Sequence, residues 1–538
     1  MIPTLYVALV WHHHQPTYKD PQTDKYLLPW TRMHAVKDYF YMANLVSHFP
    51  KVHYTANITP ILLSQINDYI YNYANDAYLE ITTRPVEELS LEDKKFMLEN
   101  FFEINPDYFI KPYPVYYSLY QKVKSLGIEK ALETFTPQDY LDLQVWYNLA
   151  WFDPYFKIYD PVITRLLQVE HFDEKHKRLL IRKQLEVISM IISKYKELVD
   201  IHQVELTTSP FYHPILPLLI DTEIAKEVGI TSLPSVKFGY PEDAVAQIKN
   251  GIDVFASAFE NLPSGMWPSE LAVSNNVLNI IKSNNIQWII ADEDILFKSI
   301  HHNIKGETEY LQTLCRPYYI ETPSGKLIVF FRNKALSNLI GFTYTSWDPQ
   351  DAAVDLVARL EDIRFKLPLG KNYIVVIALD GENCWSYYPE NGWEFLTSLY
   401  RRLSSTAGLK PITPSEFLDL DGNYETLQGI SPGSWINVSF DTWIGQPATN
   451  LAWEYLTKVR NDIEIFKQTK EAKLREEAMK YIYIAEGSDW FWWYNIHHTS
   501  KDDEIFDRLF RAYLREVYIK LDETIPDFIG KPIRKTSS

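Results

Sequence analysis

Two acidic residues that follow short apolar runs are the leading candidates for catalysis in this sequence. Asp380 comes directly after seven apolar residues, 373–379, and Gly381, Glu382 and Asn383 follow it. Apolar surroundings raise the pKa of a carboxyl group, which suits it to work as a general acid. The alternative interpretation is an Asp that caps the following helix.

Glu270 occupies a similar position at the end of the earlier segment 265–270, which reads GMWPSE. Two carboxylates at the ends of separate strands could face each other across the mouth of a barrel, which is the minimum apparatus for glycoside hydrolysis. Trp267 would add a flat apolar face on which a sugar ring can stack. The alternative is an exposed Glu that begins a helix and interacts favourably with its dipole.

His12 and His14 lie two residues apart, so both project from the same side of the first predicted strand. They could bond to sugar hydroxyls. They could also bind a metal together with an Asp at a later strand end, as in metal-dependent barrel hydrolases. Against a metal site, the other strand ends offer only His213 as a further histidine. The spacing of His12 and His14 alone nevertheless leaves both interpretations open.

Seven apolar runs that stop abruptly at polar residues predict the strands that carry these side chains. They span residues 5–11, 52–56, 204–207, 264–268, 288–291, 327–331 and 373–379. Helix-compatible segments between them, such as 241–258, 274–284 and 350–365, indicate βαβ units. The pattern predicts an α/β fold, an incomplete (β/α)7 barrel with its active site at the carboxyl ends of the strands. An open doubly wound sheet is the alternative.

Two further regions are predicted to be helical. Residues from about 60 to 201 are too many for one connection and indicate a helical insertion beside the barrel mouth. Helical patterns at 449–469, 471–484 and 503–521 indicate a C-terminal helical bundle. We therefore divide the chain into a catalytic domain, 1–403, and a C-terminal helical domain, 404–538, packed on the barrel. The aromatic run 490–494 belongs to the bundle core or lines the barrel mouth.

Composition excludes several classes of protein. The chain has 538 residues and a formal net charge of −17, which argues against nucleic acids and anionic membranes as partners. Two cysteines, no long apolar run and no signal peptide favour a cytoplasmic enzyme. Aromatic residues make up 15% of the chain, which suits sugar binding or a large core.

Five segments together resemble the ordered sequence regions of glycoside hydrolase family 57, most closely its amylopullulanase and α-amylase branch. They are 12–16 (HHHQP), 205–214 (ELTTSPFYHP), 265–270 (GMWPSE), 378–383 (ALDGEN) and 434–437 (SWIN). Stretches 28–34, 332–344, 413–418 and 487–494 are similar to that branch as well. The resemblance extends from about residue 5 to 520.

The resemblance implies a (β/α)7 barrel followed by a helical region, retaining action on α-glucosidic bonds, and no cofactor in the chemistry. We assign no residues as metal ligands. Glu270 matches the position of the nucleophile and Asp380 that of the general acid/base. Matching positions also imply substrate-binding residues, which are His12, His14, His213, Trp267 and Trp435. We add Asp292, Trp30 and Arg32 to this predicted set.

Three hypotheses follow. The first is a retaining hydrolase of α-glucans such as starch, maltooligosaccharides or pullulan, with 4-α-glucanotransferase activity at the same site as its variant; its carboxyl groups should lie about 5–5.5 Å apart. The second is a metal-dependent barrel hydrolase that uses His12 and His14. The third is a catalytically silent glucan-binding protein, which the presence of both carboxylates disfavours. The sequence does not determine the oligomeric state.

Overall fold

In the computed structural model, which describes residues 4–300, 303–420, 422–466 and 469–534, the apolar runs form strands of one sheet. Among these residues there are ten strands: β1 (Leu5–His13), β2 (Tyr54–Ile58), β3 (Val204–Thr207), β4 (Gly265–Met266), β5 (Trp288–Asp292), β6 (Tyr318–Thr322), β7 (Gly325–Arg332), β8 (Tyr373–Asp380), β9 (Leu409–Pro411) and β10 (Glu425–Leu427). Each of the seven predicted strands overlaps one of them.

Seven of these strands form a ring of parallel pairings. β1 pairs with β2, and β2 with β3. A parallel bridge between Thr208 and Met266 joins β3 to β4. β4 then pairs with β5, β5 with β7, β7 with β8, and β8 again with β1. The predicted α/β fold with a mostly parallel sheet is thus confirmed. Because the pairings return to β1, they are consistent with a (β/α)7 barrel and not with an open doubly wound sheet.

The other three strands extend this sheet. β6 is antiparallel to β7, while β9 runs parallel to β1 and β10 parallel to β6. β9 and β10 lie beyond residue 403, so the sheet receives strands from both sides of the predicted domain division. That division stays a prediction.

Helices account for most of the rest of the described chain. Those up to the end of the predicted insertion are α1 (Trp30–His34), α2 (Phe40–Ser47), α3 (Pro60–Tyr71), α4 (Ala77–Thr83), α5 (Leu91–Asn100), α6 (Pro106–Phe109), α7 (Pro114–Leu126), α8 (Ile128–Thr134), α9 (Pro137–Leu149), α10 (Pro154–Tyr159), α11 (Pro161–Leu166) and α12 (Glu174–Asp200). The side chain of Asp173 caps α12, which packs on α2, α3 and α9 through a buried stripe that includes Leu180, Val187 and Ile191. The segment from about 60 to 201 is therefore helical.

The remaining helices alternate with strands and then follow one another. They are α13 (Leu216–Ile220), α14 (Pro241–Phe259), α15 (Asn275–Ser283), α16 (Glu293–Ser299), α17 (Gly306–Leu314), α18 (Lys334–Asn338), α19 (Pro349–Lys366), α20 (Trp393–Ser405), α21 (Pro414–Leu418), α22 (Pro447–Ile465), α23 (Ala472–Ala485), α24 (Ser488–Tyr494) and α25 (Asp503–Leu521). α22 to α25 pack on one another. None of the helices in the described ranges combines the length and the apolar character needed to cross a membrane.

Alternation along the strands divides the core into two clusters. One set of alternate residues packs together, with Ala8 and Val10 from β1, Ile290 from β5, Phe330 from β7 and Ala378 from β8. The other set, which includes Leu9 and Trp11, joins the large cluster formed with the helices. Side chains on a strand alternate between its two faces. Residues an even number of positions from those of the first set therefore point to the inside of the closed sheet, as that set does.

A substitution at Gly265 tests the packing of β4, the strand that precedes Glu270. A Cβ at this position would lie 2.3 Å from the Trp288 ring. We expect Gly265→Ala to lower the free energy of unfolding by about 1–3 kcal/mol, the usual cost of overpacking a core. Urea unfolding measures it, with Gly422→Ala as control, since a Cβ there meets nothing within 4 Å. Equal midpoints for the two variants would contradict the packing of β4 on Trp288.

Candidate active site

On four strands the last residue that points inward is polar, and these four residues lie at one edge of the sheet. His12 continues the phase of Ala8 and Val10, and Asp380 continues that of Val376 and Ala378. In the same way Arg332 ends β7 and Asp292 ends β5, where the two residues are paired in register. The carboxyl ends of parallel strands meet at one edge, so the strand pattern itself brings these groups together.

A cavity of about 740 Å³ opens at this edge. Both candidate carboxylates, Glu270 and Asp380, line it. Its other lining residues include His12, His14, Gln15, Tyr18, Trp30, His34, Glu103, Arg332, Asn338, Phe342, Glu382, Trp435, Asp489, Trp492, Trp493, Asp502 and Phe506. They come from the strand ends, from the helical insertion and from the C-terminal helices.

Glu270 is held by a strained turn and by the segment around Trp435. Its backbone has φ of 56°, in the left-handed region that non-glycine residues rarely occupy. The Trp435 indole N–H donates to Glu270 Oε2 at 2.8 Å, and the Trp435 amide donates to the Glu270 carbonyl at 3.2 Å. Its side chain is 16% exposed. Backbone strain of this kind is tolerated where the surroundings fix it, and it often marks a functional residue.

Asp380 lies between two groups that favour its charged form. Burial raises the pKa of its carboxyl to about 6, while His14 and the Arg332 guanidinium oppose the rise. Arg332 also forms an ion pair with Asp292, with 2.9 Å between Nε and Oδ2, and its guanidinium lies 4.9 Å from the centre of the Trp435 ring. Arg332 therefore acts near both carboxylates, because its charge affects Asp380 and its guanidinium lies on Trp435, which donates to Glu270.

The two carboxylates influence each other electrostatically. Burial raises the pKa of Glu270 to about 8, and the charge of Asp380 raises it further, although the bond from Trp435 opposes this. Two like charges in one cavity disfavour double ionisation, so the pair titrates as a unit and holds one proton between the two pKa values. Glu270 has the higher pKa of the two. This arrangement can supply one acid and one base at neutral pH.

Three histidines and an indole form a stack against the catalytic end of the cavity. His12 lies 4.6 Å from Trp267 with the rings 6° from parallel, and His14 lies 4.1 Å from His213. Asn57 Oδ1 lies 2.6 Å from His12 Nδ1 and can only accept, so His12 Nδ1 carries the proton and Nε2 stays free to accept a bond. Burial, together with neighbouring histidines, holds the pKa values of His12 and His213 well below the usual range.

The same stack bears on the metal hypothesis. Both ring nitrogens of His14 have protein partners, which are Asp489 at 3.0 Å and Thr59 at 3.2 Å. The rings of His12 and His14 are stacked, 19° from parallel with their centres 6.0 Å apart. Within the described ranges no three His, Cys, Asp or Glu residues are grouped as metal ligands. The geometry gives no support to a metal-dependent hydrolase.

Of the residues predicted to bind substrate, four line the cavity and two lie directly behind it. His12, His14, Trp435 and Trp30 line it. His213 and Trp267, both at most 1% exposed, stack against that lining.

Arg32 and Asp292 do not line the cavity. Arg32 is fully buried and pairs with Asp76 at 2.7 Å, with further bonds to Asn148 and Gln184. Asp292, also fully buried, caps α16 through the Asp294 amide and pairs with Arg332. Any influence of Arg32 or Asp292 on a substrate is indirect, because neither side chain reaches the cavity.

Sequence reasoning missed several residues of this site. Arg332 ends a predicted strand in phase with Phe330, and that phase would have identified it. Asp489 and Glu382 hold His14, through its ring and its backbone amide respectively, but no local pattern relates Asp489 to His14. The aromatic run 490–494 serves both of its predicted roles, because Trp490 and Phe491 are buried in the helical core while Trp492 and Trp493 line the cavity.

Comparisons with known proteins agree with this geometry. The model of glycosyl hydrolase family 57 matches residues 8–429. A GH57 branching enzyme of Thermococcus kodakaraensis has a TM-score of 0.63 at 17% identity, over 96% of this chain and 90% of its own. The α-amylase AmyC of Thermotoga maritima has a TM-score of 0.58 at 16% identity, over 98% of this chain and 95% of its own.

The 4-α-glucanotransferase of Thermococcus litoralis gives a TM-score of 0.51 at 17% identity, over 97% of this chain and 60% of its own. A search of curated protein sequences finds no match. At such low identities the solved structures establish a shared fold, whereas the family model covers most of the sequence, including both candidate carboxylates and the histidines of the stack. The chain therefore belongs to glycosyl hydrolase family 57.

Proposed function

We propose that this protein cleaves α-glucosidic bonds of α-glucans through a covalent glycosyl-enzyme, with Glu270 as nucleophile and Asp380 as general acid/base. The observation that carries the proposal is that Glu270 and Asp380 line one cavity, where burial raises the pKa of both carboxyl groups and the indole of Trp435 donates to Glu270. Low-dielectric surroundings and a shared proton are what two-carboxylate glycoside cleavage needs.

The chemistry proceeds in two steps on these residues. A Glu270 oxygen attacks the anomeric carbon while Asp380 gives its proton to the glycosidic oxygen, so the C–O bond to the leaving sugar breaks and a glycosyl ester forms. Asp380 then removes a proton from water, which attacks the anomeric carbon and releases Glu270. The reacting form has the proton on Asp380.

Substrate class is proposed from the aromatic and acceptor-rich cavity and from the printed names of the structural neighbours, which are a branching enzyme, an α-amylase and a 4-α-glucanotransferase. Hydrolysis and transfer differ only in whether water or a sugar hydroxyl attacks the glycosyl-enzyme. The assignment of the fold as an incomplete barrel followed by a C-terminal helical bundle is also part of this proposal. The linkage that the enzyme prefers is part of it as well, and the product analysis below addresses it.

Product analysis on maltooligosaccharides and pullulan tests the proposal. We expect α-configured products by proton NMR within the first turnovers; reducing ends accumulate in hydrolysis, and longer oligosaccharides accumulate in transfer. Initial β-configured products would contradict retention, and unchanged substrates would contradict action on α-glucans. Starch and pullulan together separate α-1,4 from α-1,6 cleavage.

The pH dependence of kcat/KM gives a prediction about Arg332. The pH profile of kcat/KM of the parent protein should be bell-shaped, with an acidic limb near pH 6 and a basic limb near pH 8. These are the values to which burial raises the pKa of Asp380 and of Glu270. Arg332 lowers the pKa of Asp380, so removing its charge should raise that pKa and move the acidic limb to higher pH.

The variant for this test is Arg332→Gln combined with Asp292→Asn, because Arg332→Gln alone would leave Asp292 buried and unpaired. Asp292→Asn alone is the matched control, since it keeps the guanidinium. An acidic limb at the same pH in the double variant and in the control would contradict the influence of Arg332 on Asp380.

A further inference from the structure

A turn between two C-terminal helices supplies protein partners to two histidines of the stack in the active site. Residues 486–489, here called the 486–489 turn, join the end of α23 to the start of α24. Ser488 Oγ lies 3.2 Å from His213 Nδ1, and the Ser488 amide donates to the His213 carbonyl at 3.1 Å. Asp489 lies 3.0 Å from His14 Nε2. The placement of both histidines therefore depends on the position of this turn.

The buried side chain of Gln247, on α14, joins this turn to the loop that follows β3. Its carbonyl oxygen accepts from the Tyr212 amide at 3.1 Å, which fixes the orientation of its amide group. Its Nε2 donates to the Tyr483 carbonyl and to Glu486 Oε2, both at 2.8 Å. Both Nε2 hydrogens are thus used, and Glu486 Oε2 is an acceptor. A proton on the Glu486 carboxyl group would therefore be on Oε1.

Glu486 and Asp243 form a pair of buried carboxyl groups with one counter-charge. Both residues are 1% exposed, and no donor among the described residues bonds to Glu486 Oε1. The Glu486 carboxyl group instead meets that of Asp243, on α14. Both Asp243 oxygens accept from Arg460, from Nε at 2.7 Å and from Nη2 at 3.0 Å. Since one guanidinium compensates one carboxylate, Asp243 is ionised and the buried Glu486 is neutral.

The charges around the pair favour this placement of the proton. Burial raises the pKa of Glu486 well above its usual range, and the charge of Asp243 adds to the rise, although Gln247 and Arg460 oppose it. Of the titratable groups that surround the pair, only Arg460 is a cation. These groups are Tyr240, Glu242 and Asp243 at the start of α14, Arg460 and Glu464 on α22, and Tyr483 on α23.

From this arrangement we propose that Glu486 is a positioning residue of the active site, which as a neutral acid donates to Asp243 and so holds the 486–489 turn against the two histidines. The inference rests on the proposed function. Glu486 is not part of the cavity lining, so it acts through the turn and not on the substrate. Loss of its proton would place two negative charges side by side out of water, and the resulting repulsion would separate α23 from α14 and withdraw the turn from both histidines.

Two substitutions of Glu486 test the positioning role. Glu486→Gln keeps an acceptor for Gln247 and supplies an N–H for Asp243 without a titratable proton, whereas Glu486→Ala keeps neither group. At pH 7, Glu486→Ala should lose about tenfold in kcat/KM on maltooligosaccharides, the effect of a lost buried hydrogen bond, and Glu486→Gln should restore the value of the parent. Glu476→Gln, the same exchange at an exposed position of α23, is the matched control. An unchanged kcat/KM in Glu486→Ala would overturn the proposal.

Measurements at alkaline pH separate positioning from a general loss of stability. With both proteins folded by circular dichroism, kcat/KM of the parent should fall by about tenfold more per pH unit than that of Glu486→Gln, because the parent has one more group that must keep its proton. Hydrogen exchange of the amides of 486–490, compared at matched pH up to pH 10, reports on the turn without substrate and should be faster in the parent. Coincidence of the two proteins in either measurement would overturn the proposal.

Thermal unfolding determines which carboxyl group holds the proton. A carboxyl group whose pKa is raised by folding weakens the folded state as pH rises from its unfolded to its folded pKa. The Tm of Glu486→Gln should therefore increase relative to that of the parent from pH 5 to pH 8, whereas Asp243→Asn removes the buried counter-charge of Arg460 and should lower Tm throughout. The opposite pattern would place the charge on Glu486 and overturn the proposal. Inactivity of the parent on every α-glucan would refute the proposed function alone, since exchange and unfolding are measured without substrate.

Discussion

Asp380→Asn and Glu270→Gln are each expected to lower kcat on α-glucans by at least about 10²–10⁴, because each removes a group that acts on the bond in the transition state. Both variants keep side chains of nearly the same shape, so substrate affinity should change far less than kcat. Initial rates on maltooligosaccharides, with product measured by chromatography, give the comparison. Near-normal rates for either variant would refute its role in catalysis.

The same variants distinguish nucleophile from acid/base, which matters because Glu270 has the higher pKa in the free site. With an α-glucosyl fluoride, whose leaving group needs little protonation, Asp380→Asn should still form the glycosyl-enzyme. Added azide should then rescue turnover and give an α-glucosyl azide. The shorter variant Glu270→Gly leaves room for azide in place of the carboxylate, so azide attacks the anomeric carbon directly and should give the β-azide. The opposite pattern would exchange the two roles.

Stability measurements serve as the control for these variants. A carboxyl whose pKa is raised in the folded protein takes up a proton on folding, so its contribution to stability falls as pH rises from its unfolded pKa to its folded pKa. For Glu270 this window ends near pH 8. Glu270→Gln should therefore unfold at no lower temperature than the parent at pH 8, and a large loss of Tm would mean that lost activity reflects unfolding.

Arg32→Met should destabilise the protein by about 3–5 kcal/mol, the usual cost of breaking a buried ion pair. Arg32 and Asp76 are both fully buried, with Nε 2.7 Å from Oδ2, and removing the guanidinium leaves the Asp76 carboxylate without its counter-charge. Asp76 also caps α4 through the Leu79 amide, so the loss should spread to the start of the helical insertion. Urea unfolding at neutral pH measures the effect.

Lys95→Met is the matched control, since the exposed pair of Lys95 with Glu99 spans one helical turn and such pairs contribute about 0–1 kcal/mol. Below its unfolding range, Arg32→Met should keep the KM of the parent, because Arg32 lies outside the cavity lining. A raised KM with unchanged stability would instead support the substrate contact that the sequence analysis predicted for Arg32.

The sequence was sufficient to predict these strands and which of their residues share a face, because buried parallel strands are continuously apolar and end abruptly at polar residues. That pattern located Asp380 and His12, and applied to Phe330 it also identifies Arg332. It gave the right strand end and the right phase for Asp292 as well, but not the partners of its side chain. Asp292 turns to Arg332 and to the start of α16, which depends on the neighbouring strand and not on its own.

By itself, the sequence determined seven of the strands, the positions of the two candidate carboxylates near the ends of two of them, and the family, since these depend on local periodicity and on motifs of a few residues. Only the tertiary structure decided which distant side chains complete the site. Asp489 meets His14 across 475 positions, and Lys501 meets Glu103 only where two helical regions touch. Such contacts depend on how whole helices pack against the barrel, and that packing is a sum over many weak interactions that leaves no mark at any single position.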